Sequence, residues 1–416
     1  MHSTGAACGG NTVFKSAGPR AEIPTGEPMR TDPKRQPRHA LVLAGGGIVG
    51  GLYEVGALLA LDALLEGFTV CDFDLYVGSS AGAFVAALLA NRVTPERLRE
   101  TLEHDRRTLP RLSGSQFLSL PWRSYLATLP RLAARLPRVA VALCVNWREA
   151  LVLETLTSLL GLLPHGIFSL DGLEAYVRDV LTRPGRTNDF RRLRRRLYIP
   201  ATVLNTGEVH VFGATPRERT PISAAVAASA AVPLLFEPVR IDGIDYVDAA
   251  VTKTAHAGLA VECGARLVVI VNPVRPLVLE SAARGSIRDG GPLAIAGQGL
   301  RVVLHRRLRD GLRRHAREHA DTDLVLLEPY ERDMRLFDYH LMTYGHRHEV
   351  IRRGYRTTVK TILADFDRYQ ALFAKHGITM ASRADIVRRA RRWSSAAGSV
   401  ADKARAGPGS TGRRPR

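Results

Sequence analysis

The sequence predicts a three-layer α/β/α fold around a central, mostly parallel sheet, with a helical insertion. Strand-length apolar runs alternate with helix-length segments in βαβα order before residue 92, and the pattern resumes near residue 197. Two of the early strand-to-helix junctions are rich in glycine. At 416 residues and 45% hydrophobic content, the chain has ample material for a core.

The elements follow in order. His39–Leu43 is an apolar strand, a helix is expected over about 51–65, Phe73–Val77 is a second strand, and Ala81–Ala90 reads as a helix. After an insertion over about 92–188, strands are expected at Leu197–Leu204 and 208–212, then an Ala-rich helix at Ile222–Ala230. Asp242 and Asp245 flank Gly243 as the turn residues of a hairpin. Leu267–Val271 is a buried strand, and Ile295, Leu300, Val303, Leu304, Leu308 and Leu312 give a helical stripe within 293–317. Leu324–Leu327 reads as a strand, and a last helix covers about 347–376. The expected organisation is a solvated tail over 1–38, one domain over 39–380 with residues 92–188 as a basic cap, and a basic tail over 381–416.

Net charge is +19, which predicts attraction to anionic surfaces. Its placement is uneven: residues 381–416 carry ten basic and two acidic side chains, and Arg106–Arg148 holds eight arginines and no acid. Cys8, Cys71, Cys144 and Cys263 form no C-x-x-C pair, which argues against a zinc site or a disulfide framework and for a reducing compartment. No run has the form of a signal peptide, and the apolar stretches 139–145 and 150–163 fall short of a membrane span. The expected location is cytoplasmic, with any membrane contact peripheral, at the inner face.

Three segments carry chemistry. After the first strand, Ala44-Gly45-Gly46-Gly47-Ile48-Val49-Gly50 opens a helix, so backbone N–H groups converge beside a positive helix end and suit something anionic. Taken alone, the same glycines match a dinucleotide fingerprint, or a tight turn with no ligand. Gly78-Ser79-Ser80-Ala81-Gly82 follows the second strand and opens the second helix, the strand–elbow–helix order that lifts a nucleophilic serine above a sheet. Ser79 or Ser80 could equally serve as a helix cap. Third, the Ala-rich helix runs into Val232-Pro233-Leu234-Leu235-Phe236 and then Tyr246-Val247-Asp248-Ala249-Ala250.

These segments, in this order, resemble the patatin-like phospholipases over roughly Leu41–Pro273, the insertion excepted. The resemblance implies that Ser80 is a nucleophile, that Asp248 is the general base of a two-residue dyad, and that amides around Gly45, Gly46 and Gly47 form an oxyanion hole. Gly50, Gly78 and Gly82 are the remaining motif glycines. The implied activity is hydrolysis of phospholipid or other lipid esters, with no cofactor and no metal. Two positions depart from the family: Val49 stands where an Arg or Lys is usual, and Ala249 replaces the glycine after the catalytic Asp. The second asks whether a backbone conformation open to glycine survives there.

The residues support a dyad independently, because the apolar setting of Asp248 would raise its pKa and let it accept the serine proton directly. A turn Asp capping the next helix is the bland reading of the same residue. His256 is the nearest triad candidate, and His346 with His348 the nearest metal-like pair, although two ligands two residues apart on a helix point to different faces. In the insertion, Phe117, Trp122, Tyr125 and Trp147 alternate with arginines, the composition of a face that wets anionic headgroups and buries aromatics, with Trp122 and Trp147 as the candidate membrane contacts. A solvated cap is the plain reading of the same stretch, and nucleic-acid binding the less favoured partner. The competing functions are a non-catalytic lipid-surface module and a nucleotide-binding oxidoreductase. The latter lacks an acid at the end of the second strand, since Asp72 and Asp74 fall at its start. Oligomeric state is not encoded in any readable pattern.

Overall fold

A computed structural model describes residues 38–103, 165–215, 218–278, 286–330 and 345–393, with positions 109–110, 119–122, 125, 126, 128 and 130 of the insertion. Trp147, Phe117, Cys8 and Cys144 lie outside the described residues, as do 1–37 and 394–416.

The strands are β1 (His39–Leu43), β2 (Leu65–Glu66), β3 (Leu75–Gly78), β4 (Arg196–Val203), β5 (Val209–Phe212), β6 (Val239–Ile241), β7 (Ile244–Val247), β8 (Leu267–Val271), β9 (Asp323–Leu327) and β10 (Thr379–Met380). The main sheet has the order β6-β7-β4-β3-β1-β8-β9, with β5 also on β4. From β4 to β9 every pairing is parallel, whereas β5, β6 and β7 add antiparallel strands at one edge. The antiparallel edge includes the expected hairpin, with Asp242 and Gly243 both at positive φ as a two-residue turn requires. β2 and β10 form a separate two-stranded pair.

Helices cover both faces. They are α1 (Gly47–Leu64), α2 (Ala81–Ala90), α3 (Pro95–Glu103), α4 (Asp171–Leu181), α5 (Ile222–Ala230), α6 (Ala257–Glu262), α7 (Gly291–Glu318), α8 (Arg347–Ala364) and α9 (Phe366–Lys375). The period of two along β1 sorts its side chains between the layers. Leu41 and Leu43 pack with α1, α2 and α8 on one side, while Ala40 and Val42 pack with α6 and with Leu308 of α7 on the other.

Several boundaries differ from the sequence reading. α1 begins at Gly47, not near 51, because tertiary contact overrides the low helix propensity of its glycines: a Cβ on Gly50 would lie 2.5 Å from the Gly45 carbonyl oxygen. α1 is also long and apolar enough to cross a membrane, with a mean hydropathy of 1.5, a stretch the sequence reading passed over; 78% of it is buried, as the central helix of the core. The expected last helix is two, separated by non-helical backbone at Asp365. The expected tail from 381 is corrected in part. Residues 383–393 are helical, Ile386 is buried, Trp393 stacks on Tyr355 at 4.0 Å, and Arg389 reaches the Ala63 carbonyl. Their apolar stripe, too short to stand out in a basic segment, is held by α1 and α8.

Candidate active site

β1 and β3 are adjacent and parallel, so the turns at their C-terminal ends lie side by side. β1 runs into Gly45, Gly46 and Gly47, all at positive φ (79°, 115° and 67°), a sequence of conformations open to glycine and strained for other residues. β3 runs into the elbow, where Ser80 has φ 55° and ψ −128°. A positive φ at a non-glycine residue costs free energy and is held here by its surroundings. The two turns touch: a Cβ on Gly45 would lie 2.4 Å from the Ser79 carbonyl oxygen and 2.8 Å from the Ser80 Cβ.

Ser80 and Ser79 part company in the structure. Ser80 lines an apolar pocket, and its hydroxyl makes no cap bond to α2. Ser79 is fully buried, and its hydroxyl has no hydrogen-bond partner. The Ser80 amide donates to the Ser229 hydroxyl at 3.0 Å, so α5 pins the elbow from beneath. Ser229 went unassigned in the sequence; its place in the Ala-rich segment before Pro233 was the available signal.

Asp248 arrives from the antiparallel edge at the end of β7. Its amide donates to the Ala231 carbonyl at 2.8 Å, and its carboxyl Oδ1 accepts from the Ala250 amide at 2.7 Å, capping a 3₁₀ turn over Ala249–Val251. The turn-capping reading of this residue is therefore correct for one oxygen. The other, Oδ2, is buried without a hydrogen-bond partner. Burial pushes the carboxyl up to about 6, while the Ser80 side chain and the Ala250 amide pull it back. The Ser80 side chain thus lies near enough to act on the Asp248 carboxyl, with no hydrogen bond formed to Oδ2. Ala249 is buried and does not adopt positive φ, so the glycine it replaces is not needed by this backbone.

The glycine loop holds a surprise for the set of donors. The Gly45 amide, expected to face the substrate, instead donates to Oε1 of Glu54 at 2.9 Å. Glu54 lies on α1 and is completely buried. Gly46 caps α1 and Gly47 opens it, so the amides at this end have no intrahelical acceptor. Val49 is buried in the first turn of α1. Gly50, Gly78 and Gly82 all serve close packing: a Cβ on Gly78 would meet the Gly82 carbonyl at 2.5 Å, and one on Gly82 the Leu43 carbonyl at 2.4 Å.

The pocket beside Ser80 is walled by Leu52 and Val55 of α1, Phe84 of α2, Leu173 of α4, and Val232 and Phe236. Three segments are joined next to lining residues Leu170 and Phe236: Ser169 donates its amide to the Ser119 carbonyl, and Phe168 donates its amide to the Leu235 carbonyl. Leu234 is 88% exposed at positive φ and Trp122 is 67% exposed, with Leu126 and Ile167 also exposed.

The histidines fall elsewhere. Nε2 of His256 lies 3.2 Å from the Ala249 carbonyl oxygen, not against Ser80, and burial pushes this ring down to about 4. His346 caps α8, and His348 lies 3.4 Å from Glu103. Among the described residues, the group placed to hold a metal ion is His315, Glu318 and His319 at the end of α7, mostly exposed and not singled out by the sequence reading.

Residues 41–261, which contain the glycine loop, the elbow, Ser229 and Asp248, match the family model described as patatin-like phospholipase. The chain belongs to the patatin-like phospholipase family. The lipid hydrolase character is that of the family. Among solved structures, the chain is similar to VipD from Legionella pneumophila, with 15% identity and a TM-score of 0.34 over 77% of this chain and 66% of that one. It is also similar to the type III effector protein ExoU, with 17% identity and a TM-score of 0.33 over 78% of this chain and 52% of that one. The chain thus spans less than two thirds of either. No curated protein sequence matches it significantly. Within this patatin-like chain, β8, β9, α7 and α8 lie beyond the family match and complete the sheet and its cover.

Proposed function

We propose that the protein is a lipid acyl hydrolase that cleaves a carboxylic ester of a phospholipid or other lipid through an acyl-enzyme on Ser80. The observation that carries this reading is the pairing of a strained, pocket-facing Ser80 with a buried Asp248 whose Oδ2 has no partner. Asp248 takes the hydroxyl proton as Ser80 Oγ attacks the ester carbonyl. The carbonyl oxygen becomes an oxyanion facing the helix end, where the amides of Gly46 and Gly47 are the donors; Gly45 drops out of that set because its N–H is committed to Glu54. The alcohol departs with the proton from Asp248. Water then attacks the acyl-enzyme, gives a proton to Asp248, and the acid leaves as that proton returns to Ser80. The apolar pocket suits the acyl chain, and burial of Asp248 sustains the raised pKa that direct proton transfer needs.

The substrate is presented by a membrane in this reading. Trp122, Leu126, Ile167 and Leu234 are large apolar side chains left exposed, and the Arg106–Arg148 sequence that contains the first two carries eight arginines and no acid. An anionic lipid surface satisfies both, with apolar side chains in the interface and arginines on headgroups.

The test is labelling with a fluorophosphonate probe, together with release of fatty acid from mixed phospholipid vesicles. The parent protein is expected to label and to release acid, and Ser80→Ala to do neither while keeping its fold. Retained hydrolysis in Ser80→Ala would overturn the assignment.

A further inference from the structure

Glu54 is a costly side chain to bury. α1 is apolar along nearly its whole length, yet this carboxyl sits at its middle with no exposure to solvent. Burial pushes its pKa well above the ordinary range, opposed only by the amides of Gly45 and Ala44; no cation contributes. Oε2 has no hydrogen-bond partner. A buried carboxyl with one acceptor used and one idle costs stability relative to an apolar side chain of similar size. Fold stability alone therefore gives no reason for a glutamate here.

Its position gives one. Side chains on a helix lean toward the N-terminus, so a residue two turns into α1 reaches back beneath the loop from which the helix starts. Oε1 accepts the Gly45 amide at 2.9 Å, and Gly45 is the residue whose backbone abuts Ser79 and Ser80. We propose that Glu54 is a positioning residue, a buried acceptor that clamps the glycine loop against the Ser80 elbow and thereby aims the Gly46 and Gly47 amides at the reacting carbonyl. The bond turns the Gly45 N–H away from the pocket and into the core, and with it sets the peptide planes that follow. Desolvation raises the carboxyl's pKa and so disfavours a negative charge behind the site where an oxyanion forms. An ionised carboxylate there would oppose the reaction it helps to arrange.

The inference rests on the Ser80 reading, and the experiment separates the two. Glu54→Gln keeps a neutral acceptor of the same shape; Glu54→Met keeps the length and apolar volume but removes the acceptor. Measurements are the rate of fluorophosphonate labelling, kcat and KM on a soluble short-chain ester, and Tm. The expected result is that Glu54→Gln stays within about threefold of the parent, while Glu54→Met loses on the order of 10²-fold in both kcat and labelling rate, as loss of an oxyanion donor does, with KM little changed. Tm of the Met variant should equal or exceed that of the parent, an outcome that a merely structural role would reverse. The proposal is overturned if Glu54→Met keeps parental kcat, if its loss of activity is matched by unfolding, or if Glu54→Gln is as inactive as Glu54→Met. A parent that never labels at Ser80 would sink the Ser80 reading, and this inference with it.

Discussion

Asp248 and Glu54 are near twins by local physics. Each carboxyl is buried, each uses one oxygen to accept a backbone amide one or two residues from a tight turn, each leaves the other oxygen without a partner, and each is pushed up by desolvation. They differ in what stands in front of them. Asp248 has the Ser80 side chain acting on it, whereas Glu54 has only backbone amides. The lesson is that burial raises a carboxyl's pKa in either setting, and only the neighbour in front of it separates the base proposed at Asp248 from the positioning role proposed at Glu54.

The largest expected effect that could break this comparison is on Asp248 itself. Asp248→Asn preserves shape and the cap on Ala250 but cannot accept a proton, so kcat should fall by roughly 10³-fold or more, nearly as far as in Ser80→Ala. Steady-state hydrolysis of a soluble ester measures this. Activity above a tenth of the parent's would make the two carboxyls equivalent and remove Asp248 as the base.

pH sharpens the same contrast. A base must be ionised to work, so with its carboxyl raised to about 6 the parent's kcat/KM should climb through about pH 6, not through the ordinary aspartate range near 4. Glu54→Gln should leave that limb in place. The stability consequence has the opposite sign. Between 3.8 and about 6 the folded protein holds the Asp248 proton more tightly than the unfolded chain, so this group's contribution falls as pH rises through that window. Asp248→Asn should therefore melt higher than the parent at pH 7.5, with the gain disappearing by about pH 3.5, as thermal melts would show.

His256 provides a smaller effect. It is held uncharged at about 4 against an ordinary 6.5, so the unfolded chain binds its proton first and stability is lost as pH falls from 6.5 toward 4. His256→Ala should lessen that acid sensitivity while costing less than about tenfold in kcat, because the ring supports the Ala249 carbonyl and does not touch Ser80. An inactive His256→Ala with a normal Tm would replace the dyad with a triad. Smallest of all, Trp122→Ala should weaken binding to anionic vesicles by a few-fold in high salt, where screening has removed the arginine contribution, and leave soluble-ester kinetics unchanged. Loss of binding only at low salt would assign docking to charge alone.

Much of this was legible in the chain. Ser80, Asp248 and the glycines stand in short motifs whose residue types are dictated by local backbone geometry, and local geometry is what a linear pattern can report. The parallel strands His39–Leu43 and Leu267–Val271 were equally plain, since buried strands are short runs of apolar residues bounded by turns. Glu54 and Ser229 were not legible. Glu54, nine positions from Gly45, carries no motif of its own, and Ser229, in the Ala-rich stretch before Pro233, bonds a residue 149 positions away. The stretch at 383–393 was misread for a related reason: its charge describes the face toward water, while Ile386 and Trp393 are held by helices far upstream.

By itself, the sequence determined which backbone shapes were available: three glycines that permit consecutive positive φ, an elbow flanked by residues without side chains, and an Asp placed to cap a turn. Tertiary structure alone decided which polar atoms meet. It turned the Gly45 amide inward to Glu54, buried the Ser79 hydroxyl without a partner while Ser80 lines the pocket, and left Oδ2 of Asp248 without a partner. The physical reason is that desolvation depends on the whole packed surroundings of a group, which the sheet order β7-β4-β3-β1 assembles from segments about two hundred residues apart, and no local pattern carries that information.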